Sequence, residues 1–210
     1  VRGGGVGGTN AIRMALGMGA DVTVIDRSVK RLTELDEQYG GRLRTVYSTA
    51  DAIEEAASHA DLIIGAVLIA GASAPKLVTR DMLKKLKPGT VMVDVAIDQG
   101  GCFETSTPTT HADPTYVVDQ IVHYCVANMP GAVAHTATMA LTNATLPYIQ
   151  RLAQGNLDTL LRDDPHFANG LNIRAGKITH PAVAEALAKV TTQQSATSLS
   201  DSSHTMDNAA

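Results

Sequence analysis

Residues 1–10 read VRGGGVGGTN, five glycines among the first eight positions. Gly3, Gly5 and Gly8 match the spacing GxGxxG. In that pattern the first glycine permits a tight turn, the second lets backbone approach a pyrophosphate, and the third allows a helix to pack closely. Free N–H groups at the start of the following helix favour phosphate charge. Such a loop joins a strand to a helix. Apolar positions Ile12, Ala15, Leu16 and Met18, followed by Gly17 and Gly19, predict that helix over 9–19. The strand belongs ahead of Gly3, where only Val1 and Arg2 stand, so the fingerprint predicts that the rest of it lies upstream of Val1.

Glycine spacing alone is a weak signal in a chain with 18 glycines, and its context strengthens it. DVTVID, residues 21–26, is a β-branched run that stops on an acid 18 positions beyond Gly8. A carboxylate at the end of a second strand accepts hydrogen bonds from an adenosine ribose and repels a 2′-phosphate. NAD is favoured over NADP, although Arg27 and Arg31 leave NADP open. The plainer reading is a ligand-free βα turn with an Asp that merely ends a strand. Ser28 and Ser48 admit two readings as well, a contact to ribose or adenine and a helix cap.

Outward from the loop the chain alternates. Helices are expected at 29–39 and 50–59 and around 81–86; strands at 44–48 and 62–67, near 90–96, and in IVHYCVAN, which ends at Asn128. The strands lack polar alternation, as a parallel sheet covered on both faces requires. The fold class is α/β: a doubly wound, mostly parallel, Rossmann-like sheet followed by C-terminal helices of a second domain. Residues 1–128 form the nucleotide-binding domain without its first strand. Residues 129–190 form a helical segment in which strands cease, and 191–210, rich in Ser, Thr and Gln, form a tail without order.

Composition restricts function. A net charge of −4 with scattered Lys and Arg gives no basis for nucleic-acid or anionic-membrane partners. Apolar runs fall short of the roughly 20 residues a membrane helix needs. No secretory leader is expected, and Cys102 and Cys125 are too few for a disulfide framework. The reading is a cytoplasmic protein. Seven histidines show no metal-ligand spacing, His111 and His123 near the two cysteines being the nearest approach, so no metal site is expected. Asp98, in AIDQGG after a strand, stands where open α/β sheets place ligand groups. It is a candidate for proton handling or a loop cap.

The blocks GGGVGGTNAIRMALGMGADVTVIDRS, AVLIAGASAPKLVTRDMLKKLKPGTVMVDVAIDQGGCFETS and IVHYCVANMPGAVAHTATMALTNATLPYIQRLA resemble consecutive segments of the alanine dehydrogenases. The resemblance runs from about Val1 to Val190 and is most specific in DVAIDQGGCFETS and YCVANMPGAV. It implies a two-domain enzyme, usually a homohexamer, that oxidises L-alanine with NAD and water to pyruvate, ammonium and NADH. By matching position it implies cofactor contacts at Gly3, Gly5, Val6, Gly8, Asp26, Arg31, Ser48, Val67, Leu68, Ile97, Asp98, Val126, Asn128 and Met129. It also implies a catalytic role for Asp98, which would orient the amine. The family's substrate-gripping domain would precede Val1, so these residues alone are expected to be inactive. Gly7 departs from the apolar residue usual there, and His135 from a commonly basic position. The related transhydrogenase α subunit is an alternative resemblance, and a non-catalytic NAD-binding module an alternative function.

Overall fold

The computed structural model describes residues 1–67, 75–185 and 187–188. Leu68 and the expected tail from Thr191 lie outside them. Two compact units divide the chain, Val1–Ala134 and His135 onward. In the first, the order is α1 (Val6–Gly17), β1 (Val22–Asp26), α2 (Val29–Tyr39), β2 (Leu43–Tyr47), α3 (Ala50–His59), β3 (Leu62–Gly65), α4 (Arg80–Leu83), β4 (Val91–Asp94), β5 (Thr115–Val118) and β6 (Ile121–Tyr124).

β1 pairs parallel with β2, and β4 lies parallel between β3 and β6. Arg2 joins the two groups, bridging in parallel to Ile25 on one side and Gly65 on the other. Backbone bonds hold it there: Ile25 N–H donates to Val1, Arg2 N–H to Ile64 and Ala66 N–H to Arg2. The order is therefore β2, β1, the Val1–Arg2 segment, β3, β4, β6, β5. Val1 and Arg2 are thus bound at the sheet's centre, where the fingerprint requires a strand. Connections run one way from this point through β1 and the other way through β3, which makes it the topological switch point. Beneath these two residues, between β1, β3 and α3, opens a cleft of about 570 Å³ lined by Val22, Ile25, Ile53, Ala57, Ile63 and Phe103 among others.

Local chemistry sets the helices. The Ser28 hydroxyl accepts from Arg31 N–H and caps α2, whose buried face is Leu32 and Leu35. Thr49 caps α3 in the same way through Ala52 N–H. Ile12 of α1, Val22, Val24, Leu32, Leu35 and Leu43 form one apolar cluster. Ala57, Ile63, Leu83, Met92, Phe103 and Ile121 belong to another.

Several boundaries differ from expectation. α1 begins at Val6 instead of Thr9, because Gly5 ends the extended backbone and the next three residues already turn helically. The expected helix over 81–86 is the short α4, which gives way after Leu83 to tight turns, Lys85 N–H donating to Met82 and Leu86 N–H to Leu83. β5 is antiparallel to β6 and went unread: its turn, Asp119-Gln120, takes positive φ at both residues (50° and 68°) without a glycine to signal it.

The second unit holds α5 (Ala134–Gln154), α6 (Leu157–Asp163) and α7 (Pro165–Ala168). Arg151 pairs with Asp164 at 2.9 Å, and its guanidinium lies 4.9 Å from the centre of the Phe167 ring. Met139, Leu141, Leu146, Tyr148, Ile149 and Leu152 of α5 are all largely exposed. Strands do not cease after Met129: β7 (Ile173–Arg174) and β8 (Lys177–Ile178) form a small hairpin around Ala175 and Gly176, both at positive φ. Among the described residues no helix is long and apolar enough to cross a membrane.

Candidate functional site

The glycine loop leaves the central position of the sheet at Arg2, and each glycine meets a different demand. Gly3 turns at φ +94°, with a side chain excluded by the Ala66 carbonyl 2.8 Å from its would-be Cβ. A Cβ on Gly8 would lie 1.7 Å from the Gly3 carbonyl oxygen, so α1 rests directly on the loop only because that carbon is missing. Around Gly5 nothing lies within 4 Å. The backbone there is open to an approaching group, and α1 starts immediately after it with no side chain capping its first-turn N–H groups.

Asp26, at the end of β1, is drawn to this loop. Its Oδ2 accepts from Gly4 N–H at 2.7 Å and its Oδ1 from Ser28 N–H at 2.8 Å. A carboxylate has about four acceptor positions, so about two remain for a ligand's hydroxyls. Arg31 is bound to the loop: Nε donates to the Gly4 carbonyl at 2.7 Å and a terminal nitrogen to the Thr9 hydroxyl at 2.9 Å, while the other pairs with Glu34. It braces the turn. Gly4 is a residue the fingerprint passes over as a variable position. A Cβ there would come within 2.8 Å of Leu35, which fixes the spacing between loop and α2.

The remaining sequence-derived positions fall along the same edge. Ser48 follows β2, and its hydroxyl accepts from Arg2 at 2.6 Å; the cap of α3 is Thr49, its neighbour. Val67 follows β3, and its carbonyl accepts from the Cys102 thiol at 3.6 Å. Ile97 and Asp98 lie in a 3-10 turn after β4, Ile97 buried and Asp98 exposed. Val126, Asn128 and Met129 follow β6; Val126 is buried, and the Asn128 carbonyl contacts His111 Nε2 at 2.6 Å. Every one of these strands is parallel, so the site residues share the carboxyl edge of the sheet. Val6 is 85% exposed at the mouth of the loop.

The candidate metal ligands do not converge. His123 is buried, with Nδ1 against the Ile121 carbonyl and Nε2 2.7 Å from the Thr105 hydroxyl, and its ring stacks on Tyr116 at 5.0 Å. Burial lowers its pKa, opposed by the Ile121 carbonyl and Asp94. The Cys102 thiol is pushed up to about 11 by burial and by Asp94, which makes it an inert core group at neutral pH. Among the described residues no three His, Cys, Asp or Glu side chains form a metal-sized group.

A glycine loop at the switch point of a doubly wound parallel sheet, with an acid at the end of the adjoining strand, defines a dinucleotide-fold domain. The family described as Alanine dehydrogenase/PNT, C-terminal domain matches residues 1–181, and the chain belongs to it. The alanine dehydrogenase of Halomonas elongata is 68% identical over 186 residues, which is 89% of this chain and 50% of that protein. That of Mycolicibacterium smegmatis is 52% identical over 187 residues, again half of its length. A solved L-alanine dehydrogenase superposes with a TM-score of 0.80 at 49% identity, over 90% of this chain and 52% of that one. The transhydrogenase from Sinorhizobium meliloti gives 0.67 at 26% identity, over 86% and 48%. The chain thus spans about half the length of the curated relatives it matches.

Proposed function

We propose that the chain is the nucleotide-holding part of an L-alanine dehydrogenase, which oxidatively deaminates L-alanine with NAD and water to pyruvate, ammonium and NADH. The observation that supports this reading is the hydrogen bond from Gly4 N–H to Asp26, which joins the open glycine loop to the acid that would hold the ribose. Among relatives, 49% identity to a solved L-alanine dehydrogenase against 26% to a transhydrogenase supports this reading over the transhydrogenase-like one.

NAD fits the residues present. The first-turn N–H groups of α1 and the open backbone at Gly5 suit a pyrophosphate, and the free acceptor positions of Asp26 suit adenosine-ribose hydroxyls. When bound, NAD supplies the acceptor for the hydride leaving the alanine α-carbon. The chain's own contribution is position and charge. Arg31 holds the loop rigid, Ser48 borders the adenosine side, and the Val67 side chain lies beside Gly3. Asp98, exposed on the same edge, would orient the substrate amine. Groups that would grip the substrate carboxylate belong to residues beyond these. The reading carries with it a cytoplasmic homohexamer; two free, buried cysteines and the exposed apolar side chains of α5 support those parts of it. Titration calorimetry with NAD is the test: binding to the unmodified chain and a loss of about 10- to 100-fold in Asp26→Ala, the scale of hydrogen bonds to a charged group. Unchanged affinity removes Asp26 from the site.

A further inference from the structure

Asp94, the last residue of β4, is fully buried and has no role in the site as described so far. Four donors surround its carboxylate. Oδ1 accepts from Ala96 N–H at 3.2 Å, and Oδ2 from Cys102 N–H at 2.7 Å, Phe103 N–H at 3.3 Å and the Ser106 hydroxyl at 2.5 Å. These donors lie on both sides of one excursion: the chain leaves β4, makes the Ile97–Gln99 turn, and returns through Gly100 and Gly101. One carboxylate therefore closes the base of a loop whose apex bears Asp98. Gly101 belongs to the same construction. It sits at φ +77°, and a Cβ on it would lie 2.7 Å from Asp94 Oδ2. Gly101 N–H also donates to the Ala96 carbonyl at 3.0 Å, and the Lys76 ammonium reaches the carbonyls of Gly100 and Gly101 from outside.

A buried carboxylate is costly unless its oxygens are well donated to, and charge-assisted bonds are roughly twice as strong as neutral ones. Four donors converging on this group make the loop stiff at its base while leaving Asp98 in solvent. Being inaccessible, Asp94 acts through the loop and not on a ligand. We infer that Asp94 is a positioning residue which, through Ala96, Cys102 and Ser106, fixes the turn carrying Ile97 and Asp98 against the nicotinamide end of the dinucleotide. The inference rests on the reading proposed above.

Two nucleotides divide the site. ADP occupies only the glycine-loop and Asp26 end, whereas NAD adds the nicotinamide end, so the ratio of their affinities reports the Ile97–Asp98 turn alone. In Asp94→Asn an amide replaces one acceptor oxygen and the charge is lost; in Ser106→Ala one donor goes and the fold has less to lose. Both variants are expected to keep ADP affinity within about twofold and to lower the NAD-to-ADP ratio by about fivefold or more. Amide hydrogen exchange over 97–101 in the unliganded chain should quicken by about tenfold while that of β1 stays unchanged. Equal weakening of both nucleotides, or faster exchange with an unchanged ratio, would reduce Asp94 to a purely structural residue; so would an unmodified chain that holds NAD no more tightly than ADP. Unchanged exchange in both variants would overturn the inference outright. If Asp94→Asn does not fold, Ser106→Ala decides. A chain that binds neither nucleotide refutes the parent reading instead, and hydrogen exchange then tests the control of the turn by itself.

Discussion

Gly8 carries the sharpest constraint of any single residue, because its would-be Cβ overlaps a main-chain oxygen that cannot rotate away. Gly8→Ala should cost about 1–3 kcal/mol or more, as overpacked sites do, and lower the melting temperature by about 2–4 °C for each kcal/mol lost in a chain of this size. Gly5→Ala has open space around it and should fold normally, yet weaken NAD binding where backbone meets pyrophosphate; calorimetry beside thermal melts separates the two glycines. Asp26→Ala, described above, belongs to this scale too. Gly3, Gly5 and Gly8 were legible from their spacing once Asp26, at the end of a β-branched run, gave that spacing a context. Gly4 and Asp94 were not. Their importance arises from partners distant in sequence, Leu35 for one and Cys102 to Ser106 for the other, which only folding brings within reach.

Among the elements, α2 and α3 have the boundaries the sequence predicted because Ser28 and Thr49 cap them locally, whereas α4 has little of its own to extend it and ends at four residues. The β5–β6 hairpin escaped notice because Asp119 and Gln120 adopt a conformation that glycine or asparagine usually announces. The hairpin buries His123, and from this follows a pH dependence. Its pKa is lowered in the folded protein, so below the ordinary imidazole value near 6.5 the unfolded chain binds more protons. Stability is then greatest above that value and falls as the pH drops through it towards the lowered folded pKa. Chemical denaturation from pH 7.5 to 5 should show this decline, and His123→Gln, which can keep a bond to Thr105, should flatten it. A decline of equal slope in the variant would assign the effect to other groups.

At the level of the whole molecule, one topological fact collects the site: β1, β2, β3, β4 and β6 are parallel, so every loop following them opens on the same edge. The alternation of helices and strands made that edge predictable, and the resemblance made its residues nameable. What the sequence left open is how the sheet is joined: Val1 and Gly3 bond to β1 and Arg2 to the β3 side, above an apolar cleft. Since the chain corresponds to about half of its curated relatives, NAD binding and turnover should separate: calorimetry should detect NAD, while absorbance at the NADH band should register no reaction with L-alanine. Turnover by these residues would show that they contain the substrate-gripping groups after all. The most direct measurement is amide chemical-shift mapping of the ¹⁵N-labelled chain titrated with NAD. Perturbations should concentrate at Gly4 to Thr9, Asp26, Ser48 and Ile97 to Gly101, and perturbations centred instead on the cleft beside Ala52, Ile53 and Ala56 would contradict the account.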